Sequence, residues 1–197
     1  MKVNEIFDSF QGEGVYTGVP ATFLRLSGCN LNCEFCDTNF NDYKDISVEL
    51  VKEAILQHMK LHNTNLLVIT GGEPLLQYDE LKELVESLNC NIQIETNGSI
   101  FRIPLTDVTY VVSPKKKIKE VFEFYKDYSK AYFKFVIKDG FDLHMIKQLL
   151  KTYNYNKTVW LQPEYSNAEE ITSLILNKNL PFDYRISGQL HKYLKQE

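Results

Sequence analysis

Apolar positions recur along this chain with two periods that take turns. ATFLRL (21–26) alternates like a strand, and SVELVKEAILQHMKLH (47–62) carries Val48, Val51, Ile55 and Met59 at helical spacing behind Ser47, an N-cap residue type. LLVIT (66–70) is a short unbroken apolar run of the kind that forms a buried strand, and DELKELVESL (79–88) is an amphipathic helix. The pattern continues with strands NIQIE (91–95) and VTYVVS (108–113), a short helix VFEFYKDY (121–128), strand YFKFVI (132–137) and helix FDLHMIKQLLKTY (141–153). Strand TVWLQP (158–163), helix AEEITSLILNK (168–178) and strand DYRIS (183–187) end it. Strands that alternate with helices predict a parallel sheet. A closed eight-fold barrel takes about 250 residues, more than the 197 here. The predicted class is therefore α/β, as an incomplete, open (β/α) barrel with reduced helices.

No repeat, low-complexity tract or linker interrupts the pattern, so residues 1–197 are expected to form a single domain. Lys and Arg number 22 against 26 Asp and Glu, a net charge of −4 that argues against a broad nucleic-acid footprint. The apolar runs are too short to span a membrane, and MKVNEIFDSFQGEG lacks the apolar h-region of a signal peptide. A cytoplasmic protein is expected. In that compartment thiols stay reduced, which turns attention from disulfides to metal or redox chemistry.

Cys29, Cys33 and Cys36 lie in GCNLNCEFCDT (28–38), spaced C-x3-C-x2-C just past the first predicted barrel strand. Gly28 allows a tight turn there, and Asn30 and Asn32 suit a loop. Such a loop can wrap three thiolates around one face of an iron–sulfur cubane, leaving one of four irons with an open position. Two alternatives stand beside it. Zinc would need a fourth ligand, for which His58 and His62 at i, i+4 are candidates; three unrelated reduced thiols are the other. Further unusual residues also fall at predicted strand ends: Thr70 to Pro74, Glu95 to Gly98, Ser113 to Lys115 and Gln162. In parallel α/β folds that edge hosts ligands.

The C-x3-C-x2-C loop, with aromatic Phe35 before the last cysteine, resembles the radical S-adenosylmethionine (SAM) superfamily, and the expected open barrel is of the radical SAM type. That resemblance implies a 4Fe-4S cluster on Cys29, Cys33 and Cys36, with SAM chelating the open iron. One electron then splits the sulfonium bond, and a 5′-deoxyadenosyl radical abstracts hydrogen from substrate. TGGEP (70–74) is similar to the superfamily's motif for the SAM amino group, which puts Gly72 and Glu73 at SAM and Thr70 near substrate. Phe35, Asp37, Ser113, Pro114, Lys115 and Gln162 are expected to complete the cofactor pocket. ETNG (95–98) is similar to the polar wall beside the ribose, or is simply a turn with Gly98 at positive φ.

FQGEG (10–14), Arg25, GGEP, ETNG, SPK (113–115) and the Q-x-H-K stretch in RISGQLHKYL (185–194) together resemble the 7-carboxy-7-deazaguanine synthase family. What this implies is a ring contraction of 6-carboxy-5,6,7,8-tetrahydropterin to 7-carboxy-7-deazaguanine with loss of ammonia, a step in making the queuosine precursor. Magnesium assists, and Thr38 offers it a hard oxygen. Segments 1–20 and 183–197 would bind substrate. Phe10, Gln11, Gly12 and Glu13 suit the pterin and its donor–acceptor edge, Arg25 suits a carboxylate, and His191 is a further contact. A reduced flavodoxin or ferredoxin would supply the electron, and a homodimer is implied. The rivals are a glycyl-radical enzyme activase and a non-catalytic iron–sulfur or zinc module.

Overall fold

In the computed structural model the described residues are 1–33, 36 and 42–194, apart from the side chain of His191. Strand β1 (Lys2–Phe10) runs antiparallel to β2 (Pro20–Leu26), and a two-residue strand β3 (Lys44–Asp45) pairs with the start of β1. Strands β4 (Leu66–Gly71), β5 (Asn91–Thr96), β6 (Val108–Val112), β7 (Ala131–Ile137), β8 (Val159–Pro163) and β9 (Tyr184–Ile186) then follow β2, each parallel to the one before. The order is β3-β1-β2-β4-β5-β6-β7-β8-β9, and the two ends do not join. The expected open (β/α) sheet of seven parallel strands is therefore present, extended at one edge by an antiparallel pair.

Helices α1 (Val48–His62), α2 (Tyr78–Glu86), α3 (Ile118–Tyr125), α4 (Gly140–Thr152) and α5 (Ala168–Asn177) cross over between strands, and a short α6 (Leu190–Leu194) follows β9. No helix joins β5 to β6. Ser47 caps α1 as expected, accepting a hydrogen bond from the Leu50 amide, and Asp139 caps α4 through the amides of Phe141 and Asp142. Helix α3 begins and ends three residues before the expected span. Its start is marked by Lys117 in the left-handed region at φ 50°, with no capping side chain, so no N-cap signal was there to read.

One face of the sheet is apolar and meets the helices. Leu24, Leu26, Leu67, Ile69, Ile92, Ile94, Tyr110, Val112, Phe133, Phe135 and Ile137 pack with Val51, Ile55, Leu81, Leu84, Val121, Phe122, Leu143 and Ile146. Phe122 stacks on Phe133 with centroids 4.5 Å apart. The other face carries a small apolar cluster, Ala21, Phe23, Leu66 and Val68 with Phe7 and Tyr16, and above it a polar floor. Among the described residues no helix is long and apolar enough to cross a membrane.

Candidate active site

Strand β2 delivers the cysteine loop to the sheet's C-terminal edge. Gly28 turns the chain there at φ +87°, and the next strand end braces the loop: the Gly72 amide donates to the Leu26 carbonyl at 3.1 Å and the Glu73 amide to the Gly28 carbonyl at 2.9 Å. Any Cβ at Gly72 would stand 2.0 Å from the Gly28 carbonyl oxygen and 2.9 Å from the Cys29 Cβ. The glycines thus permit close approach, but to the cysteine loop's backbone.

The thiols of Cys29, Cys33 and Cys36 open onto one cavity of about 260 Å³, walled by Gly71, Gly72, Thr96, Asn97, Ser113, Lys115 and Gln162. Burial pushes the Cys29 thiol up, the Leu31 amide opposes that, and the charge of Glu73 adds to it. Lys115 donates to the Ser113 hydroxyl at 2.7 Å. Burial, then the Lys134 charge, pushes its ammonium down to about 8.

A larger cavity of about 670 Å³ lies against the first, within the usual range for small-molecule sites. Its walls include Phe10, Gln11, Gly12, Glu13, Arg25 and Thr70. Arg25 donates from Nε to Glu5 at 2.5 Å and its guanidinium lies 5.2 Å from the Phe7 ring centroid. The loop between β1 and β2 folds on itself, the Gln11 amide donating to the Val19 carbonyl and the Gly18 amide to the Gln11 carbonyl, both at 2.8 Å. It is also tied to the last segment: the Leu190 amide donates to the Gly12 carbonyl at 3.1 Å, and the Gly14 amide to the Ser187 hydroxyl at 3.1 Å.

Glu13, Thr70, Glu95, Lys134, Gln189 and Lys192 line both cavities. At their junction Lys134 donates to Oε2 of Glu13 and, at 2.9 Å, to Oε2 of Glu95. Gln11 and Gln93 donate to Oε1 of Glu95 at 3.2 and 2.7 Å, and Gln162 donates to Oε1 of Glu13 at 3.3 Å. Burial pushes the Glu95 carboxyl up, Lys134 counteracts, and the charge of Glu13 adds to the rise. Burial works against the Lys134 charge, but the two carboxylates outweigh it and hold the ammonium above its ordinary range.

Two of the residues expected at the cofactor are not among those that line the cavity. Glu73 is fully buried and does not reach the cavity; Oε1 accepts from the Leu75 amide at 3.0 Å and the Thr96 hydroxyl at 2.7 Å, and Oε2 from the Asn97 amide at 2.8 Å. It is a strut that ties the end of β4 to the end of β5, because a buried carboxylate is held where donors surround it. Pro114 is buried between Ser113 and Lys115 and does not line the cavity as they do. Gly98 has φ +72°, as the turn reading of ETNG has it, while Thr96 and Asn97 line the cavity wall. Phe35, Asp37, Thr38 and the side chain of His191 lie outside the described residues. Sequence reasoning placed Glu95 at the site edge within ETNG but passed over Lys134. The available signal was a lone lysine in the otherwise apolar strand AYFKFVI.

The donor set fits an iron–sulfur cluster better than zinc. His58 and His62 turn to Asp8, 2.5 and 3.4 Å away, and neither lines the cysteine cavity. Among the described residues no three thiol, imidazole or carboxylate groups already gather around one point that could hold a metal ion. Three thiols spread along one wall suit a cubane, which is wider than a single ion.

A family model described as the radical SAM superfamily matches residues 24–161, which defines the class: the chain is a radical SAM enzyme. A 7-carboxy-7-deazaguanine synthase of Methanospirillum hungatei is 35% identical across 98% of this chain and 85% of its own length. One of Rickettsia prowazekii is 34% identical across 98% and 88%. The crystal structure of QueE from Escherichia coli is similar with a TM-score of 0.70 at 27% identity, covering 95% of this chain and 93% of that one. The chain belongs to the 7-carboxy-7-deazaguanine synthase family. Membership implies a 4Fe-4S cluster, SAM and a small-molecule substrate, and it displaces the activase and the non-catalytic module.

Proposed function

We propose that this chain converts 6-carboxy-5,6,7,8-tetrahydropterin into 7-carboxy-7-deazaguanine with release of ammonia. The observation that carries the reading is the pair of adjoining cavities. Three thiols open onto one, an arginine and four carboxylates (Glu5, Glu13, Asp42 and Glu95) onto the other, and a common wall brings the two within reach of each other.

In this reading Cys29, Cys33 and Cys36 hold the 4Fe-4S cluster, which when bound supplies the electron that splits SAM. Gly72, Ser113, Lys115 and Gln162 flank SAM in the smaller cavity, with Phe35 and Asp37 from the cysteine loop. Gln162 has a buried carbonyl oxygen without a protein partner, an acceptor suited to a donor group on the ligand. The larger cavity takes the pterin. Phe10 offers it an aromatic face, and the amide of Gln11, the backbone of Gly12 and the carboxylate of Glu13 meet its N–H-rich edge. Arg25 exchanges Glu5 for the substrate carboxylate. That ion pair is partly exposed and yields at little cost. Thr70 stands between the two ligands, and His191 closes the pterin side.

Thr38 supplies a hydroxyl oxygen to magnesium. A reduced flavodoxin or ferredoxin delivers the electron, and the protein works as a cytoplasmic homodimer. The chain folds as one domain whose segments 1–20 and 183–197 form the substrate side.

The test is anaerobic reconstitution with iron and sulfide, followed by reduction in the presence of SAM and carboxytetrahydropterin. Mass spectrometry should find carboxydeazaguanine, and the cluster's EPR signal should change when SAM is added. A reconstituted cluster that responds to SAM but yields no carboxydeazaguanine overturns the substrate. Thr38→Ala should remove the response of turnover to added magnesium; an unchanged response puts the ion elsewhere.

A further inference from the structure

Lys134 sits in the middle of AYFKFVI, between Phe133 and Phe135, and only 5% of its surface is exposed. A buried ammonium is costly unless it is paired and hydrogen-bonded. Its two partners come from distant parts of the chain. Glu13 lies in the loop after β1, within the segment assigned to the pterin, and Glu95 closes β5. Both carboxylates face both cavities, as does Lys134 itself. One cation therefore gathers two anions at the wall between cofactor and substrate.

We propose that Lys134 is a positioning residue that keeps Glu13 and Glu95 both ionised and aimed, so that each presents a fixed acceptor to the N–H-rich edge of the pterin. This rests on the function proposed above. The reasoning is electrostatic. Two buried carboxylates drawn to one point repel each other, and without a cation between them one takes up a proton. A protonated carboxyl would offer the substrate a donor where an acceptor is needed. Other titratable groups face the same cavities: Glu5 from β1, Arg25 from β2, the three thiols, Asp42 before β3, Lys115 beyond β6, Glu164 beyond β8 and Lys192 on α6. Each carboxylate gives Lys134 one oxygen and turns the other to amide donors, Gln162 for Glu13, Gln11 and Gln93 for Glu95. Glu13 directly, and Gln11 through Glu95, are thus held from β7 on the face of the sheet that carries the cavities.

The experiment compares Lys134→Met, Lys134→Arg, Glu95→Gln and the double variant Lys134→Met/Glu95→Gln with the parent. In reconstituted enzyme, Lys134→Met should lose roughly 100-fold in kcat/KM at neutral pH, chiefly through KM. The loss should shrink as pH rises, because the shared proton then leaves; the parent should lack that limb. Lys134→Arg should recover part of the activity. Difference infrared spectroscopy on the full chain should show a protonated carboxyl in Lys134→Met that is absent from the parent and from the double variant. The double variant should lose little more than Glu95→Gln alone, since removing one anion removes the need for the cation.

A pH-independent loss without a protonated carboxyl in Lys134→Met overturns the proposal. If Lys134→Met does not fold, the double variant decides: a loss far beyond that of Glu95→Gln alone overturns it. The infrared result needs no substrate. A parent that makes no carboxydeazaguanine while the protonated carboxyl appears in Lys134→Met would defeat the proposed function and leave the ionisation role standing.

Discussion

On β7, Phe133, Phe135 and Ile137 turn towards the helices while Lys134 turns away from them. On β5, Ile92 and Ile94 pack outward, and Gln93 and Glu95 share a hydrogen bond on the other side. On β8, Val159 and Leu161 alternate with Trp160 and Gln162 in the same manner. Successive residues of a strand point to opposite faces, so the same strands build two surfaces of opposite character. The outer one is a packed apolar layer that holds the fold. The inner one carries, beside the small cluster around Phe23 and Val68, a network of amides, carboxylates and an ammonium, which buries polar groups at some expense of stability and presents them to a ligand. Position in the strand, more than position in the chain, decides which task a residue serves.

Substitutions can separate the two tasks. The largest effect is expected from Cys33→Ala on the ligand side. Turnover should vanish and iron should not be retained, while the melting midpoint of the metal-free chain barely moves; retained turnover would refute the cluster assignment. Next is Phe133→Ala on the outer face, which removes a fully buried ring stacked on Phe122. It should cost about 3–5 kcal/mol of stability in denaturant titration. A loss below about 1 kcal/mol would mean that this layer tolerates cavities and does not hold the sheet. The smallest effect should come from Gln93→Leu. Gln93 is fully buried, donates to Glu95, and leaves its carbonyl oxygen without a protein partner. Leucine relieves that orphan, so the denaturant midpoint should hold or rise, while KM rises roughly tenfold from the lost donor. Destabilisation as large as that of Phe133→Ala would erase the distinction between the faces.

The seven parallel strands were readable because each is a compact apolar or alternating run with turn residues on either side. Strand β1 was not. Its pairing with β2 slips between Val3 and Glu5, and such a bulge breaks the two-residue period that would have announced it. Strand β3 has two residues, too few for any pattern. Helix α6 spans five residues, and its docking is decided by the Gly12 carbonyl, which no local pattern encodes. In the site, the residues with recognisable spacing were found and those defined by tertiary pairing were not. Lys134 and Glu13 are 121 positions apart, and nothing near either one names the other. Glu73 shows the converse. A motif brought it to notice, but only its three donors reveal that it braces a strand end and does not reach the cavity.

The junction of the Gly12 carbonyl with the Leu190 amide also has a temporal meaning. A contact between such remote residues closes a very long loop, so it forms slowly and only after that loop exists. A nascent polypeptide can assemble the early strands and shape the cysteine loop while the pterin side is still missing its far lip. The segment that completes the substrate chamber is in this way synthesised well after the cysteine loop it serves.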